Sequence, residues 1–192
     1  MKIGLMGGSF DPVHIGHLIA AQDILETFHL DRILLVPAAQ APLKPNGVQT
    51  TAEDRLTMLR LAIEGDRRLE IMDYELTKGG VSYTIDTVRH WRGKFPGDEL
   101  FWVIGADQLP LLPKWKEINA LVAQAEFILM ERPGYATVSK IDVPGLKVHR
   151  GKGHLIEISS TEIRERCRRG LPLTYYCPQK VIAYIEEKML YR

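Results

Sequence analysis

Three observations predict an α/β fold with a doubly wound parallel sheet. Short apolar runs alternate with longer segments of helical periodicity along the chain. Two of the runs, 32–37 and 99–104, are apolar at most successive positions, the pattern of strands covered on both faces. Glycines, hydroxyls and charged residues gather just after the runs, at the edge where open α/β sheets hold ligands. At 192 residues the chain reads as one domain, 1–192, long enough for a full core.

Taken in order, 3–6 is a buried first strand, and 18–28 carries apolar residues at helical spacing. Residues 32–37 are a second strand, stopped by Pro37. The stretch 38–49 holds Pro42, Pro45, Asn46 and Gly47, so it is a loop, and Lys44 sits between its prolines. Thr50-Thr51-Ala52-Glu53 has the capping-box pattern and opens a helix with Leu56, Leu59 and Ile63 on one face. A third strand covers 69–72, and 74–80 reads as a polar loop. A helix begins within 82–87, with Ser82 or Thr84 as its cap. The strand at 99–104 leads into Gly105-Ala106-Asp107. There Asp107 can accept from a ribose hydroxyl, hold a metal, or cap a helix from Gln108. A helix at 118–125, strands at 126–130, 146–149 and 155–158, a helix start at 159–164 and a last helix from Pro178 to Leu190 complete the alternation.

Charge is nearly balanced, with 25 basic and 24 acidic residues, and the charges are scattered. That gives no footprint for nucleic acid. No signal peptide precedes the first strand, and no apolar run is long enough to cross a membrane. Cys167 and Cys177 are too few for a disulfide framework or a zinc site, so both read as free thiols in a reducing cytoplasm. No residue is assigned as a metal ligand, and a homo-oligomer is compatible with the sequence.

Residues 7–17 carry the chemistry. Gly7 and Gly8 lack a Cβ, so an anion can approach the backbone closely. The helix beginning near Gly16 offers unpaired N–H groups and the positive end of its dipole. His14 and His17 lie three apart at its mouth and can face the same way. Lys44, Arg132, Asp107 and the hydroxyl-rich starts at 82–87 and 159–164 fall at the same sheet edge. This convergence predicts a nucleotide polyphosphate site.

The motif Gly7-Gly8-Ser9-Phe10-Asp11-Pro12-Val13-His14-Ile15-Gly16-His17 resembles the signature of the His-x-Gly-His nucleotidyltransferases. The chain as a whole resembles the bacterial nicotinate-nucleotide adenylyltransferases. The further matching pieces are Lys44, Ser82-Tyr83-Thr84-x-Asp86-Thr87, Gly105-Ala106-Asp107, Lys114-Trp115, Arg132-Pro133-Gly134 and Ile158-Ser159-Ser160-Thr161-x-Ile163-Arg164. One departure is Leu43, where the family often has His before the loop lysine.

The resemblance implies a Rossmann-like nucleotidyltransferase fold. The implied reaction is adenylyl transfer from ATP, with Mg2+ carried on its phosphates, to nicotinate mononucleotide. His14, His17, Lys44 and Arg164 become the catalytic set. Gly7, Gly8, Ser9, Phe10, Gly105, Asp107, Ile158, Ser160 and Arg164 become the ATP contacts. Lys44, Thr84, Trp115 and Arg132 become the mononucleotide contacts. The ring's carboxylate is expected to be read by backbone N–H groups, with no strongly basic side chain in that pocket. The alternatives are an adenylyltransferase acting on nicotinamide mononucleotide or phosphopantetheine, and a non-catalytic nucleotide sensor. His14 and the chain length count against phosphopantetheine. The presence of His17, Lys44 and Arg164 counts against the sensor.

Overall fold

The computed structural model describes residues 1–42, 47–130, 141–151, 153–154 and 156–192. Among these residues six parallel strands form one sheet, β1 (Lys2–Gly8), β2 (Arg32–Pro37), β3 (Leu69–Ile71), β4 (Glu99–Gly105), β5 (Glu126–Met130) and β6 (Val148–Gly151). Their order is β3-β2-β1-β4-β5-β6. The chain therefore reverses its direction of winding between β1 and β4, and the two carboxyl ends part there to leave a crevice.

Strand periodicity sends alternate side chains to opposite faces, and each face has its own core. Ile33 and Leu35, Val103, and Ile128 face one side. There they meet α1 (Ile15–Thr27), α2 (Ala52–Ala62), α6 (Ser160–Arg168) and α7 (Gln179–Glu187). Leu34 and Val36, Leu100, Trp102 and Ile104, and Phe127 and Leu129 face the other. There they meet α4 (Thr84–Lys94), α5 (Ile118–Val122) and a 3₁₀ turn, Leu109–Lys114. The doubly wound expectation is met, and β2 and β5 have the expected bounds.

Several local expectations are corrected. The 74–80 segment contains a short helix, α3 (Tyr74–Lys78). Tyr74 stacks on His90 with ring centroids 3.9 Å apart, and Glu75 is buried against α4, so tertiary contacts hold a turn that propensity alone would not. The capping box at α2 is formed by Thr51 and Asp54, one residue later than expected. Thr50 is occupied elsewhere, its hydroxyl donating to Asp11.

Neither Ser82 nor Thr84 caps α4. Tyr83 holds that position, and the Ser82 hydroxyl accepts from the Ala39 N–H at 2.9 Å. Asp107 caps no helix, because Gln108 precedes the 3₁₀ turn. The strand expected at 146–149 lies two residues later. Residues 156–158 belong to no strand: Ile158 packs on the core without a backbone ladder. Pro178 occupies the cap position of α7, just outside the helix. Among the described residues no helix is long and apolar enough to cross a membrane. Both cysteines are free, and burial pushes the Cys177 thiol up to about 12.

Candidate active site

The signature turn runs from the end of β1 into α1. His14 is the N-cap residue and His17 lies in the first turn, so the sequence motif is also a helix start. The two imidazoles stack with centroids 3.7 Å apart. The His14 N–H donates to His17 Nδ1 at 3.3 Å. With Nδ1 accepting, a neutral His17 carries its proton on Nε2, where it can donate to an anionic oxygen. Gly16 permits the stack: a Cβ there would lie 3.1 Å from His14 Nδ1. Gly7 is required by its neighbour, since a Cβ would lie 2.8 Å from Trp102 Cζ2.

Phe10, expected among the ATP contacts, lies inside the signature turn. Its ring is 1% exposed and packs beneath Gly8 and against His17.

A cleft of about 530 Å³ opens between the carboxyl ends of β1 and β4. Gly7, Gly8 and Ser9 from the end of β1, Gly105 and Asp107 from the end of β4, and Thr84 and Trp115 all line it. Asp107 accepts from the side-chain amide of Gln108 at 2.8 Å. Trp115 is half-buried and meets Phe127 edge-on, with centroids 6.3 Å apart.

A second group lies against the signature turn instead of lining this cleft. The Ser160 hydroxyl donates to the Pro12 carbonyl at 2.9 Å. Arg164 Nη1 donates to the Asp11 carbonyl at 2.7 Å, and its Nη2 reaches the Thr161 hydroxyl at 3.1 Å. The start of α6 is thus hung on the turn that holds His14 and His17. Ile158 packs on the adjacent core. Lys44, its neighbour Leu43, and Arg132 lie outside the described residues.

The structure adds residues that sequence reasoning missed. Lys114 and Lys116 both line the cleft, so its wall is more basic than expected around Trp115. Lys116 sits over the Tyr83 ring, 4.4 Å from the centroid, and 3.5 Å from Asp86. The Lys-Trp-Lys triplet was the available signal, and only the Trp was given a role. Glu75 also lines the cleft while 6% exposed. The Thr87 hydroxyl donates to it at 2.5 Å, and burial raises its carboxyl above the usual range. Arg55, 1% exposed, donates to the Ser9 and Ala38 carbonyls at 2.8 and 2.7 Å and so ties the ends of β1 and β2 together.

The cleft thus combines the glycine turn at the end of β1, two lysines and an aromatic wall, an arrangement suited to an anion and a flat ring, while His14, His17 and Arg164 stand beside it on the signature turn and α6 and do not line it. Comparisons with known proteins agree. A family model described as cytidylyltransferase-like matches residues 5–166. A protein of Opitutus terrae described as a probable nicotinate-nucleotide adenylyltransferase is 59% identical, covering 100% of this chain and 98% of that one. A protein of the same description from Methylacidiphilum infernorum is 40% identical, covering 99% and 92%. The solved Plasmodium falciparum nicotinic acid mononucleotide adenylyltransferase complexed with NaAD shares the fold. Its TM-score is 0.79 at 22% identity, over 99% of this chain and 97% of that one. With full-length relatives at this identity and the family's signature intact at the sheet's switch point, the chain belongs to the nicotinate-nucleotide adenylyltransferase family.

Proposed function

We propose that this enzyme transfers the adenylyl group of ATP to nicotinate mononucleotide, giving nicotinate adenine dinucleotide and pyrophosphate, a step of NAD biosynthesis. The observation that carries the reading is the full-length 59% identity to a relative of that description, joined to a cleft with the matching chemistry.

The mononucleotide's phosphate oxygen attacks the α-phosphorus of ATP in line, and pyrophosphate leaves. A phosphate is already a competent nucleophile, so the protein's work is alignment and charge stabilisation. His17, donating from Nε2, and His14 stabilise the ATP phosphates as negative charge builds on the leaving group. Arg164 and the start of α6, with Ser160, hold the outer phosphates. Lys44 is assigned the α-phosphate and the attacking phosphate, and Arg132 the mononucleotide. Gly7, Gly8, Ser9 and the Phe10 backbone admit the phosphates closely. Gly105, Asp107 and Ile158 bound the adenosine. Trp115 stacks on the pyridine ring beside Thr84. Magnesium enters as part of the substrate on ATP phosphate oxygens and keeps much of its water. The enzyme works in the cytoplasm.

The deciding experiment is pyrophosphate release with ATP and magnesium, comparing nicotinate and nicotinamide mononucleotides. Fast release with the acid alone is expected. Equal or faster release with the amide would discard the acid as substrate and leave the phosphate chemistry standing. No release with either would return the sensor and phosphopantetheine readings.

A further inference from the structure

Beneath the signature turn lies a buried polar network supplied by distant parts of the chain. Asp11 is 2% exposed. Its Oδ1 accepts from the Tyr191 hydroxyl at 2.7 Å and from the Thr50 hydroxyl at 2.6 Å. Its Oδ2 accepts from the Gln49 N–H at 2.6 Å. Tyr191 lies 180 residues further along and is 7% exposed, so its hydroxyl has left water for this bond. Burial, together with the Asp11 charge, raises its phenol far above the ordinary range, which makes the hydroxyl a permanent donor.

The same residue is used from its other side. The Asp11 carbonyl accepts Arg164 Nη1, and the adjoining Pro12 carbonyl accepts the Ser160 hydroxyl. Arg164 Nε is buried with no hydrogen-bond partner among the described residues. The plane of the guanidinium is then fixed by two bonds, to the Asp11 carbonyl and the Thr161 hydroxyl. Whatever turns the Asp11 peptide turns Arg164.

We propose that Tyr191 is a positioning residue of the phosphate site: through the Asp11 carboxylate it fixes the carbonyl from which Arg164 hangs. The proposal rests on the reading that Arg164 holds ATP phosphates. Without the hydroxyl, Asp11 Oδ1 keeps one of its two donors. The carboxylate then reorients and carries its own backbone with it. A tyrosine that only filled space would affect both substrates alike.

The test is Tyr191→Phe, alone and combined with Arg164→Ala. Binding of ATP with magnesium is read by calorimetry, and pyrophosphate release by steady-state kinetics. Tyr191→Phe is expected to weaken ATP binding and raise KM for ATP roughly tenfold, with KM for nicotinate mononucleotide unchanged. In the Arg164→Ala background it is expected to cost nothing further, because residues acting through one another are non-additive. An equal loss in both backgrounds, an equal rise in both KM values, or no change would overturn the proposal. Thr50→Val removes the other donor to the same oxygen, and its cycle with Arg164→Ala decides the matter if Tyr191→Phe does not fold. The calorimetry is run with ATP and magnesium and no acceptor present. Coupled ATP binding without turnover of either mononucleotide would therefore sustain the positioning role while overturning the proposed reaction. Failure of the native protein to bind ATP would overturn both.

Discussion

Asp11 and Glu75 are both buried carboxyl groups, 2% and 6% exposed, and their surroundings treat them in opposite ways. Three donors converge on Asp11, and buried Arg55 feels its charge. Glu75 receives the Thr87 hydroxyl, and burial outweighs the hydrogen bonds from Thr87 and Ser82 and the charge of Lys78, so its carboxyl is raised. Asp11 is pinned in place by hydrogen bonds from three separate segments, whereas Glu75 gives up its charge more readily than a solvated carboxylate. The difference follows the two halves of the proposed substrate pair. Phosphates demand donors fixed in advance, and the signature turn is cross-braced by polar bonds to supply them. A flat ring demands a surface, and on the side proposed for it Trp115 is set edge-on to Phe127.

The sharpest break in this comparison comes from Asp11→Ala. It strands the donors of Tyr191, Thr50 and Gln49 and leaves Arg55 without its counter-charge. A loss of about 3–5 kcal/mol is expected in urea unfolding. A loss under about 1 kcal/mol would mean the network carries little, and the contrast with Glu75 would collapse. Next is His17→Ala, which removes a donor without touching the Asp11 network. It should lower kcat about 10²- to 10³-fold with an unaltered circular dichroism spectrum. Near-normal turnover in the folded variant would refute the phosphate assignment.

On the packed side, Trp115→Ala removes a stacking surface worth about 1–3 kcal/mol. KM for nicotinate mononucleotide should rise while KM for ATP stays put. A matched rise in both would place Trp115 outside the ring pocket. The smallest effect is expected from Glu75→Gln, within about 1 kcal/mol at neutral pH. Its signature is in the pH dependence. The folded protein holds the Glu75 proton more tightly than the unfolded chain does. That contribution to stability is fully present below the ordinary value of 4.5 and fades as pH rises through the raised folded value. Glu75→Gln should flatten this decline, as read by thermal melts across pH. An unchanged slope would show that Glu75 titrates normally.

The sequence made local features legible and long-range ones opaque. β2 and β5 were bounded correctly because their apolar runs end at strong punctuation, Pro37 in one case and Glu131-Arg132-Pro133 in the other. The signature turn was legible because glycine, proline and two histidines at a helix start constrain one another over eleven residues. α3 was missed because five residues have no period to read, and its stability comes from Glu75 and Tyr74 meeting α4. The strand expected at 155–158 failed in its described part for the converse reason, because Ile158 marks burial there and not pairing. Arg55 and Tyr191 were unreadable because their partners lie 46 and 180 positions away. The basic flank of Trp115 was legible in principle. Lys114 and Lys116 bracket it in the chain, but adjacency alone does not show that both reach the cleft.

The position of β1 at the centre of the sheet also sets a timetable for the newborn chain. Its partner on one side, β2, follows within about thirty residues of synthesis, but β4 begins at Glu99. At roughly 5–20 residues per second, ribosomes leave that second edge of β1 open for about 5–20 s. An apolar strand with an unclaimed ladder is a hazard for that interval, and it is the segment a chaperone would most usefully cover. The bond from Tyr191 to Asp11 then arrives about as long again after β4. A chain halted between those points can close its sheet while its signature turn still lacks its deepest brace. The earliest-made motif is therefore among the last to reach working order.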